Sequence, residues 1–336
     1  MSKVSIIGAG SWGTALALLL HKNGHEVTVW SIVKAEIDML NQEHEHKDKL
    51  PGVKLPQDMK FTNDLKEAVQ GRELLVLAVP SPYTRSTSAL LKDVVEAGQI
   101  IVDVAKGIEE KTLYTLSQII KEEVPQANVA VLSGPSHAEE VGRGVPTTCV
   151  IGAKDQKTAE WLQNVFMNEA FRVYTSNDML GIELGGALKN VVALAAGMAD
   201  GLGYGDNTKA ALITRGIAEI ARLGIAMGGK SETFYGLTGI GDLIVTCASM
   251  HSRNRRAGIL IGQGKSMQEA MDEVKMVVEG VYSTKAAVAL AEKYHVEMPI
   301  IEQVNAILFE GKAADEAVRD LMIRDKKLEH SDMDWK

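Results

Sequence analysis

The residues best suited to chemistry lie in the second half of the chain, inside an apolar pattern typical of a helix. Lys189 and Asn190 follow Gly185 and Gly186 there. The two glycines remove side chains one turn before the lysine, so another segment can approach the backbone closely. A lysine in this position can exchange a proton with a bound substrate, and the alternative is a lysine on the surface of an amphipathic helix.

Two further segments carry polar groups that could serve the same site. In residues 238–244, two glycines precede Asp242 at the start of an apolar helical run, where the carboxylate is either a site residue or a helix N-cap. Residues 251–256 hold three arginines in an otherwise acidic protein. A guanidinium beside a hydroxyl, an amide and a helix start suits a phosphate group, although a solvated run of charges is the alternative.

The N-terminus predicts the cofactor that such a lysine would serve. A short apolar strand at residues 4–7 is followed by a turn of the form G-x-G-x-x-G, with Gly8, Gly10 and Gly13, and then by an apolar helical run. The first glycine makes the turn, the second lets a pyrophosphate approach the backbone, and the third allows close packing of helix on strand. Since another strand follows at residues 26–30, the pattern indicates a dinucleotide-binding domain.

The end of this second strand predicts which dinucleotide binds. An acidic residue there would bind the ribose of NAD, whereas a basic residue would favour the 2′-phosphate of NADP. Residues 30–34 contain no acid, and their only base is Lys34. We therefore expect NADP or NAD as cofactor, with a lean toward NADP through Lys34.

The alternation of strands and helices continues to about residue 176 and predicts a doubly wound parallel sheet. Further strands are expected at residues 74–79, 100–104, 128–132, 147–151 and 171–174. Ligands bind beyond the carboxyl ends of such strands, so Lys106 is placed where cofactor and substrate meet. The turn Gly134-Pro135-Ser136 should open a helix able to face an anion, at Pro135 or Ser136. We expect His137 to be an exposed histidine near that helix start and not a catalytic group.

After residue 176 the patterns are helical. We predict an α/β Rossmann-like dinucleotide-binding domain over residues 1–178, followed by an all-helical substrate and catalytic domain over residues 179–336, with the active-site cleft between them. The charged tail at residues 325–336 is expected to fray.

Composition excludes several classes of partner. A net charge of −8 over 336 residues argues against nucleic acid and anionic membranes. Cys149 and Cys247 predict reduced core thiols in a cytoplasmic protein without a disulfide. No signal peptide or stretch long enough for stable membrane insertion is visible. Residues 44–46, with two histidines around a glutamate, lack a third ligand and predict a solvated loop, so no metal is expected.

Several segments, taken in order, carry a family resemblance: GAGSWGTALA, AKG at 105–107, GPSHAEEV, ELGGALKNVVALAAGMADGLGYGDNTKAALITRG, GLTGIGDLIVTC and HSRNRRAG. Over essentially its whole length the chain resembles the bacterial type of NAD(P)-dependent glycerol-3-phosphate dehydrogenase. The resemblance implies that the substrate is small and phosphorylated, and that the enzyme interconverts sn-glycerol 3-phosphate and dihydroxyacetone phosphate. This reaction supplies phospholipid synthesis. A homodimer is the candidate assembly.

The resemblance also implies roles for individual residues. The positions matching cofactor contacts are Ser11, Trp12, Lys106, Ala138, Arg253, Val277 and Glu279. The positions matching substrate contacts are Lys106, Gly134, Ser136, Lys189, Asp242, Ser252, Arg253 and Asn254. Lys189 matches the residue that transfers the proton. Family members often carry a basic residue directly after the second strand, whereas this chain has Ser31-Ile32-Val33 before Lys34, which leaves the contact with the 2′-phosphate open.

These residues suggest a mechanism. Burial beside Lys106 and Arg253 would lower the pKa of Lys189 toward working pH, and Asp242 would hold the lysine in place, while Asn190 would orient the substrate hydroxyls. A β-hydroxyacid dehydrogenase is the first alternative, but that group typically places an asparagine one turn after its lysine, where this chain has Ala193. A non-catalytic dinucleotide sensor is the second, and it would not need a lysine, an aspartate and a basic cluster aimed at one cleft.

Overall fold

The computed structural model describes residues 1–326, 328 and 329, so most of the tail that is expected to fray lies outside the described residues. One sheet of eight strands forms the first half of the chain. The strands are β1 Lys3–Ile7, β2 Glu26–Trp30, β3 Lys60–Thr62, β4 Leu74–Leu77, β5 Ile100–Asp103, β6 Asn128–Ser133, β7 Thr147–Gly152 and β8 Phe171–Ser176.

The sheet order is β3-β2-β1-β4-β5-β6-β7-β8. The first six strands in this order are all parallel, while β7 runs antiparallel to β6 and β8 runs parallel to β7. The order 3-2-1-4-5-6 is that of the doubly wound dinucleotide-binding fold, in which the strand order reverses beside β1. The predicted α/β doubly wound sheet is therefore confirmed.

Seven helices connect the strands, together with a 3-10 turn at Ser81–Tyr83. They are α1 Ser11–Lys22, α2 Lys34–Glu43, α3 Leu65–Val69, α4 Thr84–Leu91, α5 Leu116–Glu123, α6 Ala138–Gly142 and α7 Gln156–Phe166. The helix predicted to open at Pro135 or Ser136 begins at Ala138, because His137 takes the extended backbone conformation of the N-cap.

The second half of the chain is helical, as predicted. Its helices are α8 Met179–Gly201, α9 Asp206–Ala226, α10 Ser231–Phe234, α11 Asp242–Ala248, α12 Arg253–Gly262, α13 Met267–Val274, α14 Glu279–Tyr294, α15 Pro299–Phe309 and α16 Ala314–Met322. A single π-helical turn, Leu237–Gly241, runs directly into α11. The predicted division after residue 178 falls between the end of β8 and the start of α8 and stays a prediction.

Helix α8 is the centre of the helical part. It packs against α9, α11, α12 and α14, and most of its residues are buried. By length and composition α8 could cross a membrane, but 78% of its most apolar window is buried inside the structure. The apolar character of α8 is therefore that of a core helix.

The expectation for residues 44–46 is wrong, because this segment is not a solvated loop. The side chain of His46 is buried, and its Nδ1 accepts a hydrogen bond from the backbone N–H of Lys49 at 3.3 Å. The N–H of Leu50 also donates a hydrogen bond to the carbonyl of His46, which closes the turn that follows. Within the described part of the chain, no group of three metal-binding side chains comes together. Cys149 and Cys247 are both buried and free.

Candidate active site

A cleft of about 1140 Å³ lies between the sheet and the helical part of the chain. On one side it is lined by residues that follow the carboxyl ends of β1, β2, β4, β5 and β6. On the other side it is lined by residues of α8, of α11, and of the segments that lead into α12 and α14. This is the crevice in which open α/β sheets bind their ligands.

Lys189 sits at the floor of the cleft with two partners from α11. Its Nζ donates hydrogen bonds to Oδ1 of Asp242 at 2.8 Å and to Oγ1 of Thr246 at 2.6 Å. The side chains of Lys189 and Asp242 are only 6% and 2% exposed. Asp242 is not a helix N-cap, because its side chain makes no capping bond and binds the lysine instead. Thr246 lies one turn after Asp242 on the same face of α11, and that spacing could have identified it from sequence.

A second lysine reaches the same carboxylate from the sheet. Nζ of Lys106 donates to Oδ2 of Asp242 at 2.6 Å and to the backbone carbonyl of Gly134 at 3.0 Å. The hydroxyl of Ser136 donates to the same carbonyl at 3.0 Å. The structure therefore brings Lys106, Gly134, Ser136, Lys189 and Asp242 together, although they come from four separate stretches of sequence.

The two glycines of α8 explain how these groups can meet. A Cβ on Gly185 would lie 2.7 Å from the carbonyl oxygen of Thr238, in the π-helical turn that delivers Asp242. A Cβ on Gly186 would lie 3.1 Å from Oγ of Ser133 and 3.4 Å from Cγ of Lys106. The bare backbone of α8 therefore packs directly against both segments that complete the cluster. Single π-helical turns of this kind are frequent at functional sites.

Burial and charge act in opposite directions on this cluster. Burial lowers the pKa of Lys189 to about 8, and the neighbouring ammonium of Lys106 adds to this, while Asp242 opposes it. Burial alone would raise the pKa of Asp242, but the two ammonium groups outweigh it and hold that pKa below its usual range. The carboxylate therefore stays charged between two lysines, and Lys189 can gain or lose a proton near neutral pH.

A chain of amides connects the cluster to α14. Nδ2 of Asn254 donates to Oδ1 of Asn190 at 2.9 Å, and the backbone N–H of Gly280 donates to Oδ1 of Asn254 at 2.8 Å. The next residue back, Glu279, accepts a hydrogen bond from the backbone N–H of Ser81 at 3.2 Å. That bond crosses the cleft to the segment after β4, and nothing in the sequence indicated it.

The basic segment divides its arginines between structure and site. Ser252 caps α12 by accepting a hydrogen bond from the N–H of Arg255, and Arg255 itself forms an ion pair with Asp200. Arg253 lines the cleft, and its side chain makes no ion pair or hydrogen bond with any residue that the structure describes. Arg256 also lines the cleft, and its buried Nε has no hydrogen-bond partner among the described residues. The segment therefore places two guanidinium groups without a protein partner, those of Arg253 and Arg256, at the start of α12, where they suit an anion.

The environment of His137 differs from the exposed position that the sequence predicts. The ring is partly buried, lines the cleft, and lies 5.8 Å from the ring of His251 across it. Burial lowers the pKa of His137, and the positive charges of Lys189 and Lys106 act in the same direction. The residue is therefore a neutral cleft-lining histidine and not an exposed one, because the helical part of the chain folds over it.

The glycine turn fits a dinucleotide. Gly8 has φ +121°, and a Cβ there would lie 2.8 Å from the carbonyl oxygen of Ala78. A Cβ on Gly13 would lie 2.1 Å from the carbonyl oxygen of Gly8, so α1 packs directly on the turn. Nothing lies within 4 Å of a Cβ built on Gly10, and the first turn of α1 receives no side-chain cap. The open backbone and free N–H groups beside Ser11 suit a pyrophosphate.

The remaining predicted cofactor contacts lie in two places. Trp12, Ala138, Val277 and Glu279 all line the cleft together with Ser11 and Arg253. Lys34 does not line it, because this residue is the exposed first residue of α2. Two charged residues that sequence reasoning missed, Glu36 and Lys49, line the cleft beside Ser31 instead.

Comparison with known proteins identifies relatives over the whole chain. Profiles of the N-terminal and C-terminal regions of NAD-dependent glycerol-3-phosphate dehydrogenase match residues 3–159 and 178–319. A glycerol-3-phosphate dehydrogenase (NAD(P)+) of Agathobacter rectalis is 68% identical over 336 residues, all of both chains. One from Fusobacterium nucleatum is 66% identical over 98% of this chain and 99% of its own. The crystal structure of glycerol-3-phosphate dehydrogenase from Coxiella burnetii has a TM-score of 0.93 at 38% identity and covers 96% of this chain and 99% of its own.

The lysine–aspartate cluster makes a prediction about stability. Asp242→Asn removes the buried carboxylate that stabilises the charged forms of Lys106 and Lys189, so we expect the free energy of unfolding to fall by about 3 kcal/mol. Urea denaturation at pH 7 measures this. Asp315→Asn, which removes an exposed ion pair with Arg319 on α16, is the control and should cost about 0–1 kcal/mol. Equal losses in the two variants would contradict the buried cluster.

Proposed function

The chain belongs to the NAD-dependent glycerol-3-phosphate dehydrogenase family, and on that premise we propose that it catalyses the reversible, NAD(P)H-dependent reduction of dihydroxyacetone phosphate to sn-glycerol 3-phosphate. One observation carries the proposal. A buried lysine with a pKa of about 8 lies in the same cleft as an unpaired arginine and a glycine turn suited to a dinucleotide. A keto phosphate needs a proton donor and an anion-binding group at one site.

The cofactor is NAD or NADP, since the relatives are named as NAD(P)+-dependent enzymes. The glycine turn and the residues Ser11 and Trp12 would hold its pyrophosphate half, and Lys106, Ala138, Val277 and Glu279 would lie along the rest of it. When bound, the nicotinamide supplies the hydride that reduces C2 of the substrate.

Lys189 supplies the proton in this proposal. Its ammonium polarises the ketone and then gives a proton from Nζ to the C2 oxygen as the alcohol forms. In the reverse direction the neutral amine takes that proton back. Asp242 and Thr246 fix the position of Nζ, and Lys106, anchored on the carbonyl of Gly134, keeps Asp242 ionised.

The substrate phosphate would bind where α12 begins. Arg253 contributes a guanidinium without a protein partner, and the ten-residue helix α12 contributes its N-terminus. Ser252 and Asn254 flank Arg253, and Ser136 faces the cleft from the sheet side. Binding the phosphate at one end of a three-carbon substrate fixes the position of the carbon that reacts.

The cellular setting stays a proposal. Glycerol 3-phosphate is a building block of glycerophospholipids, so the proposed role is supply of that synthesis in the cytoplasm. The burial of α8 inside the core supports an enzyme that is not inserted in a membrane. A homodimer remains a prediction, and sedimentation equilibrium would test it.

Initial rates test the proposed reaction. Oxidation of NADPH and of NADH is followed separately with dihydroxyacetone phosphate, with dihydroxyacetone, and with a panel of 2-keto and 3-keto acids. We expect kcat/KM for dihydroxyacetone phosphate to exceed that for dihydroxyacetone by about a hundredfold or more, because dihydroxyacetone lacks the phosphate group that would bind Arg253. Turnover of a keto acid in preference to the phosphate would contradict the proposal and favour a hydroxyacid dehydrogenase.

Substitution of Lys189 tests the proton transfer. Lys189→Ala should lower kcat by about 10²–10⁴ and leave the Kd for the dinucleotide unchanged. Lys189→Arg keeps the charge but cannot release a proton, so its kcat should be as low as that of the alanine variant. In the wild type, a donor must be protonated, so kcat/KM for ketone reduction should fall as pH rises through about 8, and kcat/KM for alcohol oxidation should rise over the same range.

Two outcomes would overturn that assignment. A Lys189→Arg variant with near-wild-type turnover would mean that charge and not proton exchange is what the residue supplies. Identical pH profiles in the two directions would mean that a group other than Lys189 titrates in the rate-limiting step.

A further inference from the structure

The adenosine end of the cleft contains an ion pair that the proposed reaction does not use. Glu36, in the first turn of α2, and Lys49, in the turn after His46, form an ion pair, and both line the cleft. We propose that this Glu36–Lys49 pair sets the relative affinity of the site for NAD(H) and NADP(H). The inference rests on the proposed function, because it concerns the selectivity of the same cofactor site.

Ser31 connects the pair to the end of β2. It is the first residue after this strand, the place where an acidic residue binds the ribose in NAD-dependent sheets of this order. The hydroxyl of Ser31 donates a hydrogen bond to Oε2 of Glu36 at 2.7 Å. The acid that is missing from the end of β2 is therefore supplied by Glu36 of α2, whose carboxylate is hydrogen-bonded to Ser31.

The surrounding segment is fixed. Nδ2 of Asn63 donates to the carbonyl of Ser31 at 2.6 Å, and the backbone N–H of Val33 donates to Oγ of Ser31 at 3.1 Å. Nε1 of Trp30 donates to the carbonyl of Asn63 at 2.9 Å. Glu36 is thus held at a defined position, with its side chain 15% exposed, whereas Lys49 is 35% exposed and lies nearer to solvent.

The titratable groups near the pair add no further charge to the cleft. The Nε2 atom of His46 lies 3.9 Å from Oε1 of Glu36, but this ring is neutral at pH 7, since burial lowers its pKa and the charge of Lys49 lowers it further. Glu43 and Asp48 on neighbouring turns are exposed. Glu36 and Lys49 therefore place one carboxylate and one ammonium side by side in the lining of the cleft.

Opposite charges side by side can serve both cofactors. A ribose 2′-hydroxyl can donate a hydrogen bond to the Glu36 carboxylate, which leaves the ion pair in place. A 2′-phosphate is repelled by Glu36 and attracted by Lys49, whose flexible side chain can turn from the carboxylate to the phosphate. Glu36 thus favours NAD(H), Lys49 favours NADP(H), and the pair keeps the two affinities close together.

Binding without substrate tests the pair. Kd values for NAD+ and NADP+ are measured by calorimetry for the wild type, Glu36→Gln and Lys49→Gln, and 5′-AMP and 2′,5′-ADP serve as probes of the adenosine end alone. Glu36→Gln should shift the ratio of the two Kd values about tenfold toward NADP+, and Lys49→Gln about tenfold toward NAD+. The fragment pair should shift in the same directions, since it differs only in the 2′-phosphate.

Two further variants complete the design. Lys47→Gln removes an exposed lysine two residues away, paired with Glu43 outside the cleft, and should leave both ratios unchanged. Lys34→Gln tests the alternative suggested by sequence. Unchanged ratios in Glu36→Gln and Lys49→Gln, or a loss of NADP+ affinity in Lys34→Gln that Lys49→Gln does not show, would overturn the inference. Because these ratios are read without substrate, inactivity toward dihydroxyacetone phosphate would count against the proposed function alone.

Discussion

The structure depends on one buried carboxylate, that of Asp242, which is shared by two lysines. Asp242 lies between Nζ of Lys106 and Nζ of Lys189, at 2.6 and 2.8 Å. Lys106 lies in the loop after β5, Lys189 in α8 and Asp242 in α11, so this interaction joins the two halves of the chain at the site itself. Removing the carboxylate would leave the buried Lys189 without a neutralising partner, so the cluster is stable only when both halves are packed together.

The same cluster determines how readily Lys189 exchanges a proton. A lysine in water has a pKa above 10 and holds its proton too tightly to exchange it at neutral pH. Burial destabilises the charged form of Lys189, and Asp242 restores part of that stability, so the balance leaves the pKa at about 8. A carboxylate that neutralised Lys189 alone would hold its pKa higher. Because Asp242 is shared with Lys106, whose positive charge lowers the pKa of Lys189, the proton is held less tightly. The net positive charge that remains also suits an anionic substrate in a protein with an overall charge of −8.

Sequence reasoning predicted the parts that have local signals. The glycine turn, the apolar strands and the helical character of the second half follow from spacing and periodicity, and the structure confirms them. Local patterns identify Lys106, Lys189 and Asp242 singly, but spacing alone does not show that residues 53 and 136 positions apart meet. Their grouping at one site follows from the family resemblance. The burial of His46 and the contact between Glu36 and Lys49 had no local signal, because both arise from a turn that folds back onto α2. Lys34 was the nearest base in sequence, whereas Lys49 is the base that lines the cleft.

The central claim is that Lys189 is a buried lysine whose proton is exchangeable near neutral pH, and direct titration tests it. The protein is labelled with 13C at the lysine Cε positions, and the chemical shifts are followed by NMR from pH 6 to pH 11 in the wild type and in Lys189→Arg. The account predicts one lysine that titrates near pH 8 and is absent from the spectrum of the variant. A wild-type spectrum in which every lysine titrates above pH 10 would contradict it.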